Sequence, residues 1–295
     1  MRQRSFFSSC LLVALVLFIF LGLISLTMAW WGKGDSWRAK EGVGVVEVKG
    51  LITESRPTLE KLHRFKEEPN VKAIVLRVNS PGGAVGPSQE IMREVEKVKK
   101  QKKVVASLGT LAASGGYYVA CSSDLIMASP GTATGSIGVI LKLANVQELV
   151  KKLGVEVYSL KAGALKDLGN PFRPLTDKDR AILQHLLDNL HQQFIKDVSR
   201  NRKIPLEKMQ ELGDGRIFTG EEAKQLGLVD EMGNFEDAVQ KAGKMAGIKG
   251  KIEAIYPEKK GFSLWRLAFG QDLEESLNCL TLPYPEPAYL PSWFR

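Results

Sequence analysis

Cysteine is scarce in this chain of 295 residues, which has only three. Three cysteines cannot build the disulfide framework of a small secreted domain, and neither Cys121 nor Cys279 has the spacing of a metal ligand. A single Cys121–Cys279 bridge and two free thiols remain the alternatives. Nucleotide-binding and metal-binding motifs are missing as well, so the sequence predicts neither a cofactor nor a metal.

Histidine is equally scarce, with three in the chain. This scarcity argues against a catalytic site in which a histidine activates a serine. His185 and His191 lie between Asp177 and Arg200, where apolar residues recur at helical spacing. His63 fits the surface of an earlier helix. Because no histidine lies in a segment that resembles an active-site loop, a nucleophile in this chain needs a different base.

Charge of either sign is absent from Ser5 to Gly32, a run of 28 residues. As a helix the run would extend about 42 Å, more than the roughly 30 Å of a hydrocarbon core. We therefore predict that residues 1–40 form a transmembrane anchor with a short linker, with Trp30 and Trp31 at the membrane interface. A cleaved signal peptide ending near Ala29 is the alternative, although its apolar core exceeds the usual length.

The net charge of +8 is not concentrated on one segment. Acidic residues are mixed with the basic ones throughout, and the densest basic group, at residues 97–103, closes a helix, where cations complement the helix dipole. The sequence therefore predicts no nucleic-acid partner. Attraction to anionic lipid headgroups is a secondary interpretation.

Strand-like runs alternate with helical patterns over much of the remaining chain. The strand-like runs are Val43–Val48, Ala73–Val78, Val104–Leu108, Leu125–Ala128 and Val155–Leu160. This alternation predicts an α/β domain with a largely parallel sheet. We expect one catalytic domain over residues 41–255, followed by a tail over residues 256–295.

Two glycine-rich segments follow strands and supply what acyl transfer requires. Ser114 precedes Gly115 at the start of a helical pattern, where free backbone N–H groups favour a developing anion. Gly82 and Gly83 lie in an Asn-Ser-Pro-Gly-Gly turn, where the backbone can approach a bound carbonyl. Active sites in parallel sheets lie at the carboxyl ends of strands, as these segments do. They predict a nucleophile beside an oxyanion site.

Lys166 is the candidate base, because it follows the last strand-like run in the segment Lys161-Ala-Gly-Ala-Leu-Lys166-Asp167. A lysine amine can accept a proton at neutral pH only where burial lowers its pKa by roughly 3 units. Ser136, in a Gly-Ser-Ile-Gly turn, could orient that amine by a hydrogen bond. Taken singly, each of these segments is more often an ordinary loop or turn.

Together and in this order, the segments resemble the S49 family of membrane-anchored Ser/Lys proteases, in particular the short form of signal peptide peptidase A. The likeness extends from about Val43 to Asp230. The resemblance implies that Ser114 is the nucleophile, Lys166 the general base and Ser136 the partner of the lysine. It also implies oxyanion donors at Gly115 and at the Gly82–Gly83 turn, without deciding between the two turn glycines.

The same resemblance implies a fold and an assembly. The fold is a crotonase/Clp protease-like spiral of ββα units, and the assembly is a ring-shaped homo-oligomer, commonly an octamer, in which neighbouring protomers share catalytic centres. Hydrophobic peptides such as cleaved signal peptides are the implied substrates. The protein would cross the inner membrane once, with its catalytic domain on the extracytoplasmic side. One departure is that no serine closely follows Lys166, where many relatives have one.

Three alternatives remain beside this interpretation. A membrane protease that acts on a stomatin-like partner shares the Ser/Lys chemistry. A crotonase-type acyl-CoA hydratase or isomerase shares the glycine-built oxyanion site but needs neither a serine nucleophile nor an anchor. A membrane scaffold with an inactive site would bind without hydrolysis.

Overall fold

Valine, isoleucine and alanine dominate the strands of the computed structural model, which describes residues 15–25, 27, 41–257 and 288–289. The chain divides between Glu41 and Gly42 into two units. In the first unit, residues 15–25 and residue 27 are helical. Within the described residues, no helix is both long enough and apolar enough to cross a membrane. Trp30, Trp31 and most of the predicted anchor lie outside the described residues.

The second unit contains all the strands in the described part of the chain. They are β1 (Gly42–Ile52), β2 (Val71–Ala84), β3 (Lys103–Ala113), β4 (Leu125–Ala128), β5 (Ala133–Gly135), β6 (Ile217–Thr219), β7 (Glu231–Met232), β8 (Ala254–Ile255) and β9 (Ala288–Tyr289). The main path of the sheet runs β6-β5-β3-β2-β1-β8. The β5–β6 and β2–β9 pairs are antiparallel, and the other recorded pairs are parallel.

The helices of this unit connect the strands. They are α1 (Arg56–Glu67), α2 (Val85–Val98), α3 (Gly115–Ala120), α4 (Gln147–Lys152), α5 (Asp177–Arg202), α6 (Leu206–Leu212), α7 (Gly220–Gln225) and α8 (Phe235–Met245). Helix α5 begins with a capping box between Thr176 and Asp179. This mixed α/β architecture with a parallel-rich sheet confirms the predicted class and is consistent with a crotonase/Clp protease-like fold.

The sheet is covered on both faces. Strands buried on both faces are typically rich in apolar residues along their whole length, as the central strands are here. On one face, Val43, Val75 and Val105 pack with Ala238 and Val239 of α8. The other face carries the larger cluster, to which α1, α2, α3 and α5 contribute buried side chains. Burial of both faces fixes the central strands, so their carboxyl ends form a rigid base for the loops that follow.

Strand β3 changes neighbours along its length. Residues Val105–Ser107 pair with β4, whereas Leu111–Ala113 pair with β5. The register of β2 against β3 also shifts between Val78 and Ser80. Beyond this shift the two strands still pair at Ser80 and Ala112, and their far ends carry the Gly82–Gly83 turn and Ser114.

The predicted strand at Val155–Leu160 is wrong. These residues form no helix or strand, and all six are exposed. An extended segment becomes a strand only when a neighbouring backbone accepts and donates its hydrogen bonds, and no described segment pairs with it. The apolar residues of this run therefore face outward.

Candidate active site

Ser114 lies at the junction of β3 and α3 in a backbone conformation that L-residues rarely adopt, with φ of 53° and ψ of −119°. Strain of this kind costs about 1–3 kcal/mol and persists only when the surroundings impose it. Here the Ser114 N–H donates to the Gly135 carbonyl at 2.8 Å, and the Ser114 carbonyl accepts from the Tyr118 N–H at 2.8 Å. The side chain is thereby held at the start of α3.

The Ser114 hydroxyl is buried, and its Oγ has no hydrogen-bond partner among the described residues. A buried polar group without a partner costs free energy, so native proteins retain few of them. Such a hydroxyl remains free to react with a bound carbonyl. The hydroxyl that the sequence predicts to be the nucleophile is thus buried and unbonded within the described part of this structure.

The structure brings Gly82, Gly83 and Gly115 together. A Cβ added to Gly115 would lie 3.1 Å from Gly82 Cα, 3.1 Å from Gly83 N and 2.7 Å from Ser88 Oγ. A Cβ added to Gly83 would overlap the backbone of Ile52. Only glycine allows these backbones to approach so closely, and the approach brings the Gly83 amide nitrogen near Gly115, the residue that follows Ser114.

An extended segment already lies beside this turn. Strand β9 pairs antiparallel with the end of β2, with Gly83 opposite Tyr289 and Ala84 opposite Ala288. The edge of β2 next to the glycine turn therefore accepts a peptide backbone as an added strand, which is a common mode of peptide recognition.

Ser136 is close to Ser114 through Gly135, whose carbonyl accepts the Ser114 N–H. Ser136 also has a positive φ, of 50°, and is buried. Its N–H donates to the Arg216 carbonyl at 2.7 Å. The two serines that the sequence singles out therefore share one backbone connection.

Lys166 is the site residue that a single chain does not bring to Ser114. It is exposed, and since Ser114 Oγ has no partner among the described residues, the two side chains make no hydrogen bond within one chain. Its backbone N–H closes a turn with the Gly163 carbonyl at 3.1 Å. Exposed apolar residues surround it in the sequence, including Leu153, Tyr158 and Leu160.

An ion-pair cluster begins at Asp167, the residue after Lys166. Asp167 binds Lys161 and Arg173, and Arg173 also binds Asp179. The hydrogen bonds from Lys161 and Arg173 lower the pKa of Asp167. The Arg173 guanidinium, helped by the Thr176 backbone, lowers the pKa of Asp179 to about 2. Both carboxylates are therefore ionised at neutral pH.

Neutral buried groups anchor the helix that follows Ser114. Tyr117 donates to the Leu228 carbonyl at 2.9 Å, and Tyr118 donates to Asp197. The Tyr118 ring packs edge-on against Phe194, with 4.7 Å between the ring centroids. Cys121 is a buried free thiol whose pKa burial raises to about 12. Cys279, its predicted alternative partner, lies outside the described residues.

Three residues near the site, Ser80, His191 and Arg173, make polar contacts that the sequence does not predict. Ser80 Oγ accepts the Gly82 N–H at 3.0 Å, and His191 Nε2 lies 3.2 Å from the Ile137 carbonyl and 2.6 Å from the Gly213 carbonyl. Arg173 forms the cluster described above. The His191 partners are backbone carbonyls 54 and 22 residues away in sequence, so no local motif indicates them. Among the described residues, no group of three or more His, Cys, Asp and Glu side chains could hold a metal ion.

Comparison with known proteins places the chain among peptidases. Residues 96–249, which include Ser114, Ser136 and Lys166, match the family described as Peptidase family S49. A Synechocystis protein provisionally named a protease is 42% identical over 74% of this chain and 78% of its own length. An Enterococcus faecium protein provisionally named signal peptide peptidase SppA is 39% identical over 61% of this chain and 53% of its own length. Protease 4 of Haemophilus influenzae is 34% identical over 70% of this chain and 35% of its own length.

Proposed function

Because this chain belongs to peptidase family S49 and is a serine-type peptidase, we propose that it is a membrane-anchored endopeptidase that hydrolyses hydrophobic peptides, such as cleaved signal peptides, with a Ser114–Lys166 dyad. The observation that carries this proposal is the buried, unpartnered hydroxyl of Ser114 in a strained turn beside Gly82, Gly83 and Gly115. Peptide hydrolysis by a serine nucleophile needs such a hydroxyl and adjacent backbone donors.

In the proposed reaction, Ser114 Oγ attacks the scissile carbonyl carbon while the neutral amine of Lys166 takes its proton. Backbone N–H groups at Gly115 and at the Gly82–Gly83 turn stabilise the oxyanion. The C–N bond then breaks, Lys166 returns the proton to the leaving amine, and an acyl-enzyme remains on Ser114. Lys166 next removes a proton from water, which attacks the ester carbonyl carbon. The bond between that carbon and Ser114 Oγ then breaks, Ser114 Oγ takes the proton back from Lys166, and the acid is released. Ser136 orients the Lys166 amine throughout.

Lys166 would come from a neighbouring protomer in a ring-shaped homo-oligomer, octameric in our proposal. Its exposed position and the absence of a partner for Ser114 Oγ in the described chain support this arrangement. The outward-facing apolar run of residues 155–160 would pair with the neighbour and form the strand that a lone chain lacks. The domain would then complete the spiral of ββα units that the family resemblance implies.

Residues 1–40 would anchor the enzyme in the inner membrane by a single crossing, with the peptidase domain over residues 41–255 on the extracytoplasmic side and the tail over residues 256–295. The uncharged run from Ser5 to Gly32 supports the anchor. A site held beside the bilayer would meet hydrophobic peptides, and the strand-accepting edge of β2 would bind them in an extended form.

The test uses the full chain in detergent micelles and a quenched-fluorescence apolar peptide. We expect a fluorophosphonate probe to label Ser114, and we expect Ser114→Ala and Lys166→Ala each to abolish cleavage. Ser123→Ala is the matched control, because Ser123 Oγ is also buried and without a partner, and this variant should cleave normally. Labelling with no peptide cleavage would contradict the proposal, as would full activity of either dyad variant.

Mixing the two inactive variants tests the shared site. If Ser114 and Lys166 come from different protomers, co-assembly of equal amounts of Ser114→Ala and Lys166→Ala restores about a quarter of the sites. At these sites one protomer supplies the intact Ser114 and its neighbour supplies the intact Lys166. If both groups belong to one protomer, no mixture recovers activity. Cleavage by the wild type should also rise with pH, because the base must lose its proton before it can act.

A further inference from the structure

The hydroxyl of Ser80 is buried and bonded on both sides. Ser80 Oγ donates to the Gly50 carbonyl at 2.6 Å and accepts the Gly82 N–H at 3.0 Å. Gly50 belongs to β1 and Gly82 to the glycine turn, so one hydroxyl connects the turn to the neighbouring strand. A hydroxyl has one hydrogen to donate, and Ser80 gives it to Gly50.

This arrangement distinguishes the two turn glycines. Because the Gly82 N–H donates to Ser80 Oγ, it already has an acceptor within the turn. Gly83 N lies 3.1 Å from where a Gly115 Cβ would stand, and Gly82 approaches the same point with its Cα and not with its amide. The Gly83 N–H is therefore the turn amide that is positioned to act together with the Gly115 N–H.

Ser80 also contacts the helix that begins after Ser114. A Cβ added to Gly116 would lie 2.7 Å from the Ser80 carbonyl oxygen and 3.3 Å from Ser80 Cβ. The two sides of the oxyanion site, the turn and the start of α3, therefore meet at Ser80. A shift of this residue would alter the separation of the Gly83 and Gly115 amides.

We propose that Ser80 is a positioning residue for peptide hydrolysis. Its hydroxyl accepts the Gly82 N–H, which leaves the Gly83 N–H as the oxyanion donor of the turn. The proposal rests on the peptidase function given above. Ser80 does not touch the substrate, and it acts through the geometry of the two donor amides. Its effect belongs to the transition state, in which the carbonyl oxygen carries charge, and not to ground-state peptide binding.

The test compares Ser80→Ala with Ser107→Ala in the full chain in detergent. Ser107 is also a buried serine in the sheet, and its hydroxyl accepts a hydrogen bond of 2.9 Å from Arg77, away from the turn. For each variant we would measure kcat, KM and the thermal unfolding midpoint. We would also measure two inhibition constants, one for a peptide boronate, which mimics the tetrahedral state, and one for an uncleavable peptide, which mimics the ground state.

We expect Ser80→Ala to lower kcat/KM and boronate affinity in parallel, each by about 10- to 100-fold, with nearly unchanged affinity for the uncleavable peptide. Ser107→Ala should lower the unfolding midpoint to a similar extent while boronate affinity stays near that of the wild type. Equal boronate affinity in the two variants would overturn the role of Ser80. Failure of the wild type to bind boronate or to cleave peptide would instead refute the peptidase proposal itself.

A wild-type structure with the boronate bound gives a second test that needs no variant. We expect the boronate oxygen within hydrogen-bond distance of Gly83 N and Gly115 N, with the Gly82 N–H still on Ser80 Oγ. A boronate oxygen bound to Gly82 N would overturn the proposal even if Ser80→Ala proved too unstable to assay.

Discussion

The Ser114 N–H donates a hydrogen bond of 2.8 Å to the carbonyl of Gly135. This bond ties the end of β3 to the turn that carries Ser136, and both serines have a positive φ. Each strained turn thereby restrains the other. A change on the Ser136 side of this bond is expected to reach Ser114 through the backbone, without any contact between the two side chains.

The close approach of Gly115 to the glycine turn predicts a large loss of activity for Gly115→Ala. The new Cβ would lie 2.7 Å from Ser88 Oγ and 3.1 Å from Gly83 N, so the two amides must move apart. We expect kcat to fall about 100- to 1000-fold, the usual effect of losing an oxyanion donor. Gly86→Ala is the control, since a Cβ there meets nothing within 4 Å. Similar kinetics for both variants would refute the assignment of Gly115.

The contacts of His191 predict that this residue supports the turn that carries Ser136. Its Nε2 lies near the carbonyls of Ile137 and Gly213, whereas His185 on the same helix is exposed. His191→Ala should destabilise the fold by about 1 kcal/mol, the usual net value of a hydrogen bond, and His185→Ala by less than about 0.5 kcal/mol. We expect kcat to fall about 10-fold in the first variant only, because Ser136 loses its support. Thermal unfolding and peptide cleavage measure the two effects, and equal behaviour of the variants would contradict the prediction.

The Asp179–Arg173 pair predicts a defined acid dependence of stability. The pKa of Asp179 falls from 3.8 to about 2 because Arg173 stabilises the carboxylate. Since the folded-state pKa is the lower one, this stabilisation is complete above about pH 4 and is lost as the pH falls towards about 2. Asp179→Asn should therefore lower the unfolding midpoint at neutral pH, with a difference that shrinks below about pH 4. A difference that stays constant down to about pH 2 would show that the carboxylate charge is not the cause.

Strand β9 predicts competition between the chain's own tail and its substrate. Ala288 and Tyr289 pair with Ala84 and Gly83, at the edge where we propose that an extended peptide binds. Ending the chain after Pro287 should lower KM for an apolar peptide, since the edge is then vacant, and should leave kcat largely unchanged. An added synthetic peptide with the sequence of residues 282–295 should restore the higher KM. An unchanged or raised KM in the shortened chain would show that β9 does not compete with substrate.

Much of the fold could be predicted because its signals are local. The apolar runs that became β1, β2, β3 and β4 are bounded by turns, and Leu125–Ala128 was predicted with its observed bounds. The meeting of Ser114 with the Gly82–Gly83 turn followed from the rule that sites gather at the carboxyl ends of parallel strands. Neither inference required knowledge of distant contacts.

The features that the sequence analysis predicted wrongly or missed depend instead on partners that are not local. Residues 155–160 have the composition of a strand, but a strand also needs a partner, and the sequence of one chain does not show whether that partner belongs to another copy. Ser80 and His191 act on carbonyl or amide groups far away or on another element. Because every residue except proline offers the same backbone groups, such contacts leave no sequence motif.

The unpartnered hydroxyl of Ser114 has a consequence for the life of a newly made subunit. If a neighbouring protomer supplies Lys166, then a freshly synthesised single chain is inactive, and oligomerisation itself is the activation step. A protease built this way requires no removable propeptide, and dilution alone would switch it off.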